Sequence, residues 1–181
     1  WDLNRKNDGL FLFTHGLDEL VNYDSRLLKN NMEYLFRSKS TNVVLASSYM
    51  IANIDMAAVV KAHEASGCDV TAVYTEVEDA DKNFQNCFTF EVDSRTNRVT
   101  DVGKNIGFGK KANVCMEIFL LKKEFLIDIL YKSAHSSRHS SIYNAIFDQL
   151  ENITINAYKF EGYVACINSI ASYYRANMDM L

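Results

Sequence analysis

The sequence predicts an α/β domain whose mixed, mostly parallel sheet is flanked by helices. Three observations carry that prediction. Short β-rich runs alternate with helical runs along the 181 residues, as in layered α/β folds. Residues 42–75 read as a strand–helix–strand unit of about thirty residues, the length of a βαβ crossover. Hydrophobic residues make up 48% of the chain and charged residues 23%, a globular balance that suits one domain with a sizeable core.

The elements follow in order. Leu10 to Phe13 reads as a strand, and Ser25 to Arg37 as a helix with Leu27, Leu28, Met32, Leu35 and Phe36 on one side. Asn42 to Ala46 is a short apolar run of the fully buried kind. Asp55 reads as the N-cap of a helix carrying Ala57, Val60, Ala62 and His63, which Gly67 ends as a C′ residue. Asp69 to Thr75 is the next strand. Phe88 to Val92 and Arg98 to Val102 alternate around a polar turn, the signature of a hairpin. Val114 to Leu120 is a strand, and Lys122 to Lys132 a helix with Phe125, Leu126, Ile129 and Leu130 inward. Ile142 to Leu150 is helical, Ile153 to Phe160 alternates as a strand, Tyr163 to Ile167 is a short strand, and Ile170 to Leu181 a closing helix.

Charge and composition exclude several classes. A net charge of −4 with no basic stripe argues against a nucleic-acid partner. No apolar run reaches the length of a bilayer span, and residues 1–6 have no secretory h-region. No membrane partner and a cytoplasmic location are therefore expected. The first residue is not Met, so the chain reads as a fragment. Cys68, Cys87, Cys115 and Cys166 form no CxxC and read as buried free thiols in a reducing compartment.

Three local patterns invite a functional reading and carry little. Gly103 to Lys111 has five residues between Gly103 and Gly109 and lies between strands, whereas a phosphate loop has four and opens a helix. His135 and His139 are four apart but sit in a Ser-rich polar stretch, which reads as a solvated connection. Tyr158, Tyr163, Tyr173 and Tyr174 fit strand and helix packing, so core or interface is the default for them.

Two stretches are more specific. Residues 158–181 contain Phe160-Glu161-Gly162-Tyr163 and Ala176-Asn177-Met178-Asp179 at an ungapped spacing, which resembles the "FEGYWRDIGTIESYWEANMDLL" of bacterial ADP-glucose pyrophosphorylases (glucose-1-phosphate adenylyltransferases). Residues 43–56 align without gaps on the family's "VLVLSGDHIYKMDY". Weaker matches lie at residues 65–71 ("EKGADVT") and 116–121 ("MGIYVF"). The opening Trp1 to Lys6 and Gly9 to Phe13 resemble the accessory, D-type subunit of that enzyme.

The resemblance implies a Rossmann-like nucleotide-diphospho-sugar transferase fold. It makes 1–181 a nucleotidyltransferase domain lacking its N-terminal Gly-rich loop, with the C-terminal left-handed β-helix domain absent from this chain. The family joins ATP and glucose 1-phosphate into ADP-glucose and pyrophosphate for glycogen biosynthesis. Mg²⁺ is its cofactor, held by the Asp of "SGDH" and the Asp of "WRDIG", because a hard cation wants carboxylate oxygens. Here those positions are Tyr49 and Cys166. A phenol is neutral near pH 7 and a thiol is soft, so neither suits Mg²⁺. Three family glycines become Ser48, Glu117 and Asn168, which would crowd the pocket.

No catalytic residue and no metal ligand are therefore assigned. Substrate contacts carried over by the resemblance are Lys104, Glu161, Gly162 and Tyr163, with Lys104 the retained part of the sugar-phosphate "EKP" motif. The expectation is a regulatory subunit, inactive or weakly active by itself, in a hetero-oligomer with a catalytic glucose-1-phosphate adenylyltransferase subunit. Its pocket would take glucose 1-phosphate or ADP-glucose. The alternative is an active sugar-nucleotide transferase with a rearranged metal site drawing on Asp55, Glu117 or Glu161.

Overall fold

The computed structural model describes residues 28–133 and 141–181. The strand expected at 10–13 and the His135/His139 stretch lie outside them. The first described helix, α1 (Met32–Arg37), keeps Met32 and Leu35 buried, whereas Phe36, expected inward, is 58% exposed. Two short strands follow, β1 (Asn42–Ala46) and β2 (Met50–Ala52). Helix α2 (Met56–Ser66) starts at Asp55, whose carboxylate accepts from the backbone N–H of Ala57 and Ala58. It ends at Gly67 in the left-handed conformation, φ +64°, which glycine adopts without steric cost. Its buried residues are Val59 and His63, and Ala57 faces solvent.

The rest of the chain runs β3 (Val70–Val77), the single turn α3 (Ala80–Asn83), β4 (Phe88–Asp93), β5 (Arg98–Lys104) and β6 (Ala112–Lys122). Helices α4 (Lys123–Ser133) and α5 (Ile142–Phe147), strands β7 (Ile155–Lys159) and β8 (Val164–Cys166), and helix α6 (Ile170–Asp179) complete it.

Six strands form one sheet in the order β1–β6–β3–β7–β5–β4. The largely parallel sheet expected from the alternation of elements is not what forms. Among the described pairings only β3 and β7 run parallel; the rest are antiparallel. The reason is one insertion. Strands β1, β3 and β7 do share a direction, as a crossover requires, but β6 runs the opposite way between β1 and β3. One would-be parallel pair thus becomes two antiparallel ones. The β4–β5 hairpin adds another, and a contact between Thr89 of β4 and Val114 of β6 closes five of the strands into a small barrel.

The long apolar runs of β3 and β6 are explained by their central place. Val70 to Thr75 and Val114 to Leu121 are buried without interruption, since both faces are covered. Strand alternation then splits the core. Val70, Ala72, Tyr74, Phe119 and Leu121 pack with Leu126, Leu130 and Ile146 on one face. Val73, Met116, Ile118 and Leu120 pack with Val59 on the other. Phe147 sets its edge against Phe88, Phe90 and Phe119 at centroid distances of 5.0, 5.8 and 5.6 Å. Each fully buried side chain of this size contributes about 1.5–3 kcal/mol. Strand β1 differs from expectation. It pairs with β6 alone among the described strands, and only Leu45 is buried while Val44 is 44% exposed. Tyr173 and Tyr174, for which core packing was one default, are 58% and 66% exposed on α6. Among the described residues no helix is long and apolar enough to cross a membrane.

Candidate functional site

Strands β2 and β8 pair antiparallel, with Met50 opposite Cys166. The amide of Ile167 donates to the Tyr49 carbonyl at 2.7 Å. Two positions far apart in sequence, Tyr49 and Cys166, therefore meet at one end of this small sheet. The Tyr49 ring packs against an apolar cluster of Phe84, Cys87, Val114 and Cys166. The Cys166 and Cys87 sulfurs are 3.7 Å apart.

Glu117 completes the group. It lies where β6 bulges opposite Ala72 and Tyr74, with φ +52°, a left-handed conformation that L side chains other than Asn and Asp seldom adopt. The glycine that the resemblance places there fits that backbone. Its carbonyl accepts from the Ser47 amide at 3.2 Å, and its own amide donates to Cys115 Sγ at 3.3 Å. The side chain is buried, 5% exposed, and its carboxylate stands near enough to the Tyr49 hydroxyl to push that phenol's pKa up.

The electrostatics follow from burial. Desolvation first, then the Glu117 carboxylate, push the Tyr49 phenol well above its ordinary value of 10, so it stays protonated. Contact with Cys166 and burial push Cys87 up, while the S–H of Cys87 draws Cys166 down. Of the two thiols, Cys166 more readily gives up its proton. Burial holds Cys115 high as well.

These residues do not fit Mg²⁺. A neutral phenol and a thiol occupy the two positions where a hard cation needs carboxylates. Among the described residues the one buried carboxylate is Glu117, which faces the Tyr49 phenol. Asp55 is committed to capping α2, and Glu161 lies exposed, 3.5 Å from Lys159. Among the described residues no group of three or more His, Cys, Asp or Glu is placed to hold a metal ion. Of the three replaced glycines only Glu117 fills buried space. Ser48 and Asn168 are exposed, and the Asn168 amide donates to Ser172 Oγ, so the expected crowding comes from one residue.

The substrate residues carried over by resemblance divide between two clefts. Gly162 and Tyr163 line a cleft of about 360 Å³ together with Cys166, Asn83, Arg175 and Asp179. Within it Tyr163 Oη donates to Asp179 at 2.9 Å, and Arg175 donates to Asn83. Lys104 lines a neighbouring cleft of about 630 Å³ with Glu76, Glu78, Phe108 and Lys111. Its ammonium lies 5.8 Å over the Phe88 ring. Glu76 and Val77 border both clefts. Glu161 lines neither. Two features escaped the sequence reading. Asn105, 8% exposed, donates to the carbonyls of Ala80 and Phe84 at 2.6 and 2.8 Å and so fixes the segment carrying Cys87. The approach of Cys87 to Cys166 joins residues 79 apart, for which no local pattern exists.

The architecture is a mixed α/β fold with a mostly antiparallel sheet that closes into a small barrel, and solved proteins share it. HddC from Yersinia pseudotuberculosis, solved alone and complexed with GMP-PN, superposes with a TM-score of 0.65 at 14% identity, covering 88% of this chain and 63% of that one. The sequence relatives are more particular. The glycogen biosynthesis protein GlgD of Bacillus subtilis (strain 168) is 26% identical over 187 residues, spanning 100% of this chain and 43% of that protein. GlgD of Geobacillus stearothermophilus is 40% identical over 78 residues, 40% of this chain and 22% of that protein. The glucose-1-phosphate adenylyltransferase of Thermosipho melanesiensis is 24% identical over 99% of this chain and 44% of its own length. The chain is thus a homologue of GlgD and of glucose-1-phosphate adenylyltransferases along its whole length, at modest identity, and spans less than half of those proteins. No family model matches it.

Proposed function

We propose that this chain is the nucleotidyltransferase domain of a regulatory subunit of glucose-1-phosphate adenylyltransferase acting in glycogen biosynthesis. In this reading it pairs with a catalytic subunit in the cytoplasm and does not itself transfer adenylyl groups. The sequence likeness to GlgD supports the pathway. The observation that carries the non-catalytic part is the meeting of Tyr49 with Cys166 over an apolar cluster, where the family's metal carboxylates would stand. What remains for these residues is structural and binding work. Tyr49 and Glu117 fill the site facing one another, the thiols fill the floor, and the Gly162–Tyr163 cleft and Lys104 offer room for a sugar phosphate or sugar nucleotide.

The test uses the full-length polypeptide, alone and mixed with the catalytic subunit of the same organism, measuring pyrophosphate release from ATP and glucose 1-phosphate with Mg²⁺. The expected result is background turnover alone and altered kinetics of the partner in the mixture. Turnover by the isolated subunit comparable to the catalytic one would overturn the reading. Tyr49→Asp combined with Cys166→Asp is expected to leave the subunit inactive, because Glu117 still fills the site.

One observation favours a second reading. Glu117 is a buried carboxylate adjoining both lost ligand positions, so a rearranged metal site would have to use it. Calorimetry of ADP-glucose with and without Mg²⁺ separates the two. Tight metal-dependent binding that Glu117→Gln abolishes would favour the active enzyme.

A further inference from the structure

Cys166 forms part of the wall of the cleft that also holds Gly162, Tyr163 and Arg175, whereas Cys87 is not part of that wall and lies behind it. The two sulfurs are in contact at 3.7 Å, with no other side chain between them. A disulfide needs a sulfur–sulfur separation of about 2.05 Å, so closure requires a shift of roughly 1.6 Å shared between the two. The surroundings allow it. Cys166 ends β8, a three-residue strand paired only with the three-residue β2 among the described strands. Cys87 precedes β4; the Asn105 amide donates to its carbonyl, and beyond the Cys166 sulfur its Sγ has only a long 4.0 Å contact to the Gln85 carbonyl to give up.

We propose that Cys87 and Cys166 are a reversible dithiol–disulfide site, with Cys166 as the attacking thiol at the cleft and Cys87 as the resolving thiol behind it. The oxidant class is a low-molecular-weight disulfide, RSSR. Cys166, as thiolate, attacks one sulfur of RSSR, forming Cys166–S–S–R and breaking the R–S–S–R bond to release RS⁻, which takes the proton given up by Cys166. Cys87 then loses its proton, attacks the Cys166 sulfur and expels the second RS⁻, which takes that proton. Two protein thiols are oxidised and one RSSR is reduced to two RSH. The product ties β8 to the start of β4 across the cleft floor, joining positions 79 residues apart in the chain. Neither the geometry nor the chemistry depends on the functional reading above.

Glutathione disulfide is the probe, applied to the folded 181-residue chain and to the full-length polypeptide. Free thiols in the 181-residue chain should fall from four to two, and a proteolytic digest should yield the peptides of Cys87 and Cys166 linked and lighter by two hydrogens. Dithiothreitol should restore all four thiols. Cys87→Ser should stop at a glutathione adduct on Cys166, and Cys166→Ser should leave Cys87 unmodified at the same oxidant concentration. Retention of all four thiols by the folded wild-type chain would overturn the proposal. So would a linkage through Cys68 or Cys115, or thiol protection that a chelator removes, which would mark a soft metal ion instead. The wild-type thiol count and digest stand even if a serine variant fails to fold.

Discussion

Replacing Tyr49 by Phe removes the hydroxyl that faces the Glu117 carboxylate, at a site where the glutamate is 5% exposed, and so tests a bond between them. The ring remains to pack against Phe84, Cys87, Val114 and Cys166, so little cavity forms. A hydrogen bond to a charged group is worth about 1.5–3 kcal/mol, and a buried acceptor left short of its donor loses most of that. Tyr49→Phe should therefore destabilise the chain by about 2 kcal/mol. Glu117→Gly acts in two opposing directions. It orphans the Tyr49 hydroxyl, at about 1–3 kcal/mol, and it relieves a left-handed backbone that costs a non-glycine residue about 1–2 kcal/mol. Its net effect should be close to zero. The double variant removes both members of the pair, so it should be more stable than Tyr49→Phe alone, with a coupling energy of roughly 1.5–3 kcal/mol. Urea unfolding of the four proteins at pH 7, read as midpoints at constant slope, measures the cycle. A coupling below about 0.5 kcal/mol, the size of ordinary non-additivity, would refute the Tyr49–Glu117 bond and the account of the filled site built on it.

Other outcomes follow from single features. Asp55→Ala removes the acceptor of two α2 amides and should cost about 1 kcal/mol, read from the urea midpoint; Asp55→Asn should recover most of it. His63 is 5% exposed with Nδ1 2.9 Å from Thr71 Oγ1, and burial lowers its pKa below the ordinary 6.5. The unfolded chain then binds the proton more readily. The stability from a neutral His63 is complete above pH 6.5 and is lost as pH falls from there through the lowered folded value. His63→Gln should flatten that limb of the stability–pH curve, and an unchanged curve would count against a buried neutral imidazole. Gly162→Ala would put its Cβ 2.6 Å from Phe160 Cζ; the partly exposed ring can swing aside, and a loss of about 1 kcal/mol or less is expected by thermal or urea unfolding.

What the sequence made legible was local. The hairpin of β4 and β5 is marked by its polar turn, α2 is marked at both ends by Asp55 and Gly67, and the alternation of Ile155 and Ala157 reads directly as one face of β7. Contacts between distant segments were not legible. Nothing in Val114 to Leu120 says that this strand will lie between β1 and β3 and run against both, so the sheet was expected to be largely parallel. Burial of the edge strand was misjudged for the same reason, since an apolar run does not reveal whether both faces will be covered. At the site, the aligned stretches identified Tyr49, Glu117 and Cys166 as altered positions. The thiol contact with Cys87, the phenol–carboxylate pair and the exposure of Ser48, Asn168 and Glu161 needed the fold.

The place of β6 has a consequence for how the chain folds. On the ribosome β1 and β3 emerge well before the strand that joins them, and until residues 112–122 appear both present open, hydrogen-bond-hungry edges. Among the described strands neither β1 nor β3 has a partner until β6 is made, and the barrel waits further for β7. Folding is therefore late and governed by contacts of large sequence separation, which is the slow regime. Nascent chains stalled before residue 112 should be held by chaperones or cross-associate through β1 and β3, whereas chains extended past β7 should become protease-resistant in a single step.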